Sequence, residues 1–350
     1  MELNEYLAQL DGQYRLYDVG RRIRKIDKTQ FQKFEALESP YPHPYLQHAW
    51  LALYISPPKQ PDNETLMFLK WPLDEQGKLI PYVRDDLVRR LIELTKTPLK
   101  VDSEIEDPLK DNPFAFKPDN VRLANLHAMI QASQRRKPSE HFNSVVKYLQ
   151  AGTLNHTQLS NFEGLGLQGI ADVSARLDDH KASLKACLPH MPSEALLAFS
   201  QCLEHHNMPL DFAETAVKRF QQEITSPDNV INVEACMRII GASHNDSLRI
   251  DAWQMWFASD YATNIACLLA FATRNYDDLA FMPERIDAFL LNLAELNQDN
   301  DDTFTAFTKI AGDLLFLPGI RNLLLNALRK ESRPAILGEA LQALMNSKQS

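Results

Sequence analysis

Hydrophobic residues change their spacing part-way along the chain. Before about residue 118 they come in short runs of strand length, and from Asp119 onward they recur every three to four residues. Gln13-Tyr14-Arg15-Leu16-Tyr17 alternates polar and apolar positions and predicts a strand. The runs Trp50–Ile55 and Thr65–Trp71 are rich in aromatic and apolar residues and predict two more. Asp74-Glu75-Gln76-Gly77 predicts a turn, with Lys78-Leu79-Ile80 returning as a short partner. Helices are expected over 2–10 and over Arg84–Lys96, the second with Leu87, Val88, Leu91, Ile92 and Thr95 on one face.

The later region reads as helices throughout. Ala213, Ala216, Val217, Phe220 and Ile224 form one stripe, and Val230, Val233, Met237 and Ile240 another. The spacing repeats in Ile286, Phe289, Leu290 and Leu293, in Phe304, Phe307, Ala311 and Leu314, and in Ile336, Leu337, Ala340, Leu341 and Leu344. Breakers such as Pro192, Pro209, Pro227, Gly241, Pro283, Pro318 and Pro334 separate the stripes. Paired into hairpins, the helices start near residues 192, 228, 260 and 301, a spacing in the range of helical repeats of the HEAT kind.

Proline sharpens the division. Twelve of the 20 prolines fall between Pro40 and Pro118, and a residue without an N–H is excluded from helix interiors, so that stretch is not helical repeat. The expected architecture is a small α+β domain over 1–115 with an antiparallel sheet, then a larger all-α domain over 119–350. The latter is read as a HEAT-like α-solenoid or, alternatively, an irregular helical bundle. Val101–Pro118, with three prolines and no sustained period, is the expected linker.

Charge follows the same boundary. Residues 1–100 hold 15 Lys/Arg against 14 Asp/Glu, net +1, and residues 101–350 hold 22 against 32, net −10. An acidic body repels a phosphate backbone, which argues against nucleic acid as a partner. The start, with Glu2 and Glu5, has no basic or apolar leader pattern. The longest uncharged helical run, Tyr261–Thr273, is 13 residues and too short to cross a bilayer, so a cytoplasmic location is expected. Cys187, Cys202, Cys236 and Cys267 form no CxxC pair and sit among apolar neighbours, so they read as buried thiols.

Several motifs invite chemistry. Gly164-Leu165-Gly166-Leu167-Gln168-Gly169 matches the dinucleotide fingerprint, but the residues before it are polar rather than an apolar strand, and the expectation is a close helix contact. Cys202, His205 and His206 stand on one predicted helix without a second ligand cluster, so no metal is expected. Asn297–Asp301 imitates the start of a calcium loop, yet Asp302 replaces the required glycine and Thr308 the required glutamate. No cofactor is implied. The densest basic cluster, Arg21, Arg22 and Arg24 with Lys25, is joined in the same domain by Arg89 and Arg90. These five arginines are the candidate site for a small anion or an acidic partner. Alternation along a strand would place Arg22 and Arg24 on one face. Tyr41-Pro42-His43-Pro44-Tyr45-Leu46-Gln47-His48 is a second candidate region, a loop with two histidines and no acid at an informative spacing.

The segment Phe68-Leu69-Lys70-Trp71-Pro72-Leu73-Asp74-Glu75-Gln76-Gly77 resembles a bacterial family of about this length known only as a family of unknown function with a Leu-Asp-Glu motif. The resemblance implies a bacterial cytoplasmic protein and assigns no activity or site. With no catalytic set in the sequence, the expected role is non-enzymatic: a scaffold or regulatory protein whose helical part binds another protein. The alternative is an anion sensor or enzyme built on the α+β domain.

Overall fold

The structure is a computed structural model that describes residues 3–9, 13–56, 64–96, 112–296 and 304–347. The chain divides into two compact units, 1–119 and 120–350. An α+β unit with a four-stranded antiparallel sheet comes first, and a larger helical unit follows.

In the first unit the elements run α1 (Leu3–Gln9), β1 (Gln13–Asp18), β2 (Arg24–Ile26), α2 (Lys28–Glu35), β3 (His48–Ser56), β4 (Thr65–Pro72) and α3 (Pro81–Lys96). Strand order is β2-β1-β3-β4. The register aligns Ile26, Leu16, Leu53 and Met67 across all four strands, then Arg24, Asp18, Leu51 and Leu69. Side chains at paired positions share a face, so one row is wholly apolar and the next carries two charged residues. That row holds the candidate site.

The helix α2 covers the same face: Phe31 packs on Trp71, and Phe34 on Phe31 and Tyr41. Asp27 starts α2 by accepting from the Thr29 and Gln30 amides. At its other end the buried Glu35 carboxylate accepts the Leu3 and Asn4 amides at the start of α1. Neither β2 nor α2 is foreseen in the hydrophobic pattern, because one is three residues long and the other buries only Phe31, Phe34 and Glu35.

The expected linker is only partly outside the described residues, and its described end belongs to the sheet. The Lys70 amide donates to the Phe114 carbonyl, and the Phe116 amide to the Phe68 carbonyl, so residues 114–116 cover the β4 edge. The expected turn at Asp74–Gly77 is present. Gly77 takes a φ of 75°, and Leu73 bridges Leu79.

The second unit contains α4 (Asn120–Ser133), α5 (Phe142–Leu154), α6 (Leu167–Ser174), α7 (Leu177–Cys187), α8 (Ser193–Leu203), α9 (Leu210–Glu223), α10 (Val230–Gly241), α11 (Asp246–Phe257), α12 (Ile265–Arg274), α13 (Ile286–Glu295), α14 (Thr305–Leu315), α15 (Pro318–Leu328) and α16 (Ala335–Ser347). Alternate helices pack on one another: α4 on α6, α6 on α8, α8 on α10, and α10 on α12. A second layer runs α5 on α7 and α7 on α9. Beyond α12 the pattern changes: α13 to α16 pack on one another, and Phe289 of α13 also packs on Phe271 of α12. One apolar core, including Phe199, Phe212, Trp253, Phe271 and Phe289, runs through the unit. No described helix is long and apolar enough to cross a membrane.

Charged rungs tie the first layer together. Glu204, just after α8, is 2% exposed. It accepts from Arg238 Nη1 at 3.0 and 2.9 Å and from Arg274 Nη2 at 2.9 Å. Arg238 lies in the last turn of α10 and Arg274 in that of α12, so the C-terminal ends of α8, α10 and α12 meet. The three helices therefore run in the same direction. Arg238 also pairs with Glu234 at 2.5 Å.

Candidate functional site

The two N-terminal candidate regions, separate in sequence, form one place in space. After β1 the chain bends through Gly20, Arg21 and Arg22 before β2 begins at Arg24. The loop 41–45 lies against that bend. Arg21 is buried, donates from Nε to the Pro44 carbonyl at 2.9 Å, and stacks on Tyr45 at 5.1 Å. A Cβ on Gly20 would stand 3.1 Å from Tyr45 Cβ, so glycine is what allows the loop to sit this close. The Trp50 indole N–H donates to the Tyr45 carbonyl at 2.8 Å.

Asp18 is the centre of the cluster. It is 1% exposed and accepts the Tyr41 hydroxyl on Oδ1 at 2.8 Å, while Oδ2 has no hydrogen-bond partner among the described residues. Burial pushes its carboxyl up to about 7, against the Tyr41 and Gly20 hydrogen bonds and the charges of Arg24 and Arg21. Arg24 is its cross-strand neighbour and is exposed. The His43 imidazole is pushed down to about 4, first by burial and then by the charges of the same two arginines, Arg24 and Arg21. Burial and the Asp18 carboxylate together raise the Tyr41 phenol well above its ordinary value.

The arginines differ from the strand picture in one respect. Residues 20–22 are a bend rather than a strand, so alternation does not pair Arg22 with Arg24. Arg89 and Arg90, on α3, are committed to Asp86 of their own helix at 2.5 and 2.8 Å. Hydrogen bonding from Arg90 foremost holds Asp86 below its ordinary range despite some burial. Of the five candidate arginines, Arg21 and Arg24 are those the structure gathers round Asp18.

The other motifs have structural explanations. Gly164 takes a φ of 85°, a left-handed conformation that side chains disfavour. A Cβ on Gly169 would lie 2.5 Å from the His141 carbonyl oxygen, so the glycine pattern lets α6 approach α5. Cys202 is fully buried, receives a hydrogen bond from Asn125 at 3.5 Å, and has its thiol pushed up to about 12 by burial. All four thiols are buried, as their apolar neighbours imply. No group of three His, Cys, Asp or Glu able to hold a metal occurs among the described residues. The calcium-loop mimic, Asn297–Asp301, lies outside them.

Fold and cluster define a class: an α+β unit with a buried carboxyl beneath an arginine-bearing turn, followed by a helical unit with a layered core. The chain matches over residues 1–345, and belongs to, the family described as protein of unknown function (DUF3549). No curated protein and no solved structure matches it.

Proposed function

We propose that the protein is a non-enzymatic binding protein whose helical unit, a repeat stack of the HEAT kind, presents a surface to another protein in the cytoplasm. The observation that carries this reading is the way the α4–α12 layer ends. On α12, Cys267, Leu268 and Phe271 are buried, while Ile265 and Leu269 are 43% and 41% exposed. These two residues are four apart and share a stripe. A layered stack adds each helix to the previous one, so the outward stripe of its last member is the natural place for a further helix to add. The double substitution Ile265→Asp with Leu269→Asp leaves the buried stripe untouched. It is expected to keep the wild-type melting temperature and to lose the proteins that the wild-type chain captures from native lysate. Equal capture by both chains would exclude this surface.

A second reading rests on the gathering of Arg21, Arg24, Tyr41 and His43 around Asp18: the turn Arg21, Arg22 and Arg24 holds a small anion. Sulfate is then expected to raise the melting temperature in a saturable way. Arg24→Ala, which removes the exposed member of that group, should remove the rise, and equal shifts in both proteins would exclude the site.

A further inference from the structure

The closest ring contact among the described residues lies in the helical unit, away from both N-terminal candidate regions. His156 opens the 3-10 turn His156–Ser160 after α5, and His190 closes the 3-10 turn Leu188–His190 after α7. Their imidazoles stack face to face, with centroids 3.8 Å apart and planes at 22°. Both residues are exposed, so the contact is not a by-product of core packing.

The backbone fixes each ring from its own side. His156 Nδ1 lies 3.0 Å from the Gly152 carbonyl, which can only accept, so Nδ1 keeps its hydrogen and Nε2 is the atom that takes up a proton. The turn that carries His156 is held by the buried Leu159, whose carbonyl accepts the Tyr148 hydroxyl at 2.9 Å. The turn that carries His190 is held by Arg219 of α9, which donates to the Leu188, Pro189 and Met191 carbonyls. The two rings therefore meet where two anchored turns meet, and only a side-chain rotation can part them.

We propose that the His156–His190 stack is an acid-sensitive clasp between these turns: it stands with at most one imidazole charged, and a second proton undoes it. A charged imidazole resting on the face of a neutral one is attracted to it, as any cation is to an aromatic face. Two charged rings at this separation repel, and even in water the repulsion moves a midpoint by about one pH unit. The groups acting on His190 agree in sign. Partial burial first, then the charges of His156 and Arg219, hold its imidazole below the ordinary 6.5. Arg219 comes from α9 with Glu223 as its own partner, and α5 contributes only the Gly152 carbonyl.

The pH dependence follows by linkage. In the unfolded chain the two rings are apart and both charge near 6.5, whereas the folded pair accepts its second proton at lower pH. Between those values the unfolded chain holds more protons. The contribution of the clasp is thus fully present above about 6.5 and is lost as pH falls through the lower value. The clasp is independent of the partner-binding reading, which concerns α12.

NMR titration of the histidine rings in the full chain, with His156→Phe as the comparison, tests it. Phenylalanine keeps a ring in the stack and removes the charge. The His190 midpoint should rise by about one pH unit in that variant. An unchanged midpoint would show that burial and Arg219 alone set it, and would overturn the proposal. Hydrogen exchange of the Asn161 amide, which donates to the Gln158 carbonyl to close the first turn, reads the mechanical consequence. Between pH 6.5 and 5 its protection should fall up to about tenfold more in the wild type than in His156→Phe. Equal falls in both would reduce the pair to a surface contact without a clasp. Should the variant fail to fold, the wild type decides through the ring-to-ring nuclear Overhauser contact. A contact seen at pH 7 and lost once both rings are charged supports the clasp, and one that persists removes it.

Discussion

Replacing Glu204 by alanine is expected to lower stability by about 3–5 kcal/mol, the range for removing one partner of a buried ion pair. The side chains of Arg238 and Arg274 are only 13% and 14% exposed, so neither turns to water when its carboxylate is lost. Arg238 keeps Glu234 as a partner. Arg274 is the more vulnerable: burial already pulls its guanidinium below the ordinary value, with Glu204 opposing and Arg238 adding to the effect. Two further expectations separate a charge effect from a cavity. Glu204→Gln should lose most of what alanine loses, because it keeps the shape and not the charge. Arg274→Met in the Glu204→Ala background should recover part of the loss, because the orphaned charge is gone. Urea midpoints at constant slope measure all three. A loss below about 1 kcal/mol would place this rung among surface ion pairs and contradict the account.

The second large effect is a gain. Asp18→Asn should be more stable than the wild type at pH 8, by up to about 4 kcal/mol, with almost no difference at pH 4. The sign follows from the direction of the shift. Burial raises the Asp18 carboxyl from 3.8 to about 7, so between those values the folded chain holds a proton that the unfolded chain has released. Stability is then lost as pH rises through the window. Asparagine keeps an oxygen to accept from Tyr41 and Gly20 and carries no charge to bury. The measurement is the difference between the two unfolding free energies at pH 4, 6 and 8. An offset that does not change with pH would show that Asp18 is not the titrating group.

Much of this architecture is visible in the sequence, and the exceptions have definite causes. The long strands are announced by runs such as Trp50–Ile55, whose side chains fill a buried sheet face, and the helical unit by stripes such as Ala213–Phe220. The short β2 is not, because three residues carry too little period and Arg24 and Lys25 look like a solvated run. The site was half legible. Both of its basic and aromatic segments stand out, but their union depends on α2 returning the chain from β2 to residue 41, and α2 has only Phe31 and Phe34 as apolar anchors. Asp18 carried a signal of its own. It continues the alternation Tyr14, Leu16 into the buried face, where a charged residue needs explaining. Glu204 is a similar case, four residues beyond the buried Ser200 and eight beyond Leu196 on the same stripe. The arginines of α3 misled for the opposite reason. Asp86 stands three and four residues before Arg89 and Arg90, an ordinary helix pairing that neutralises them locally.

The central claim, that the end of the α4–α12 layer is a binding surface, is tested most directly by hydrogen exchange on the chain alone and in complex with a protein it captures. The account predicts that binding slows exchange in α12, around Ile265 and Leu269, and leaves β1 to β4 unchanged. Slowing confined to the sheet unit with α12 unaltered, or the absence of any captured partner, would contradict it.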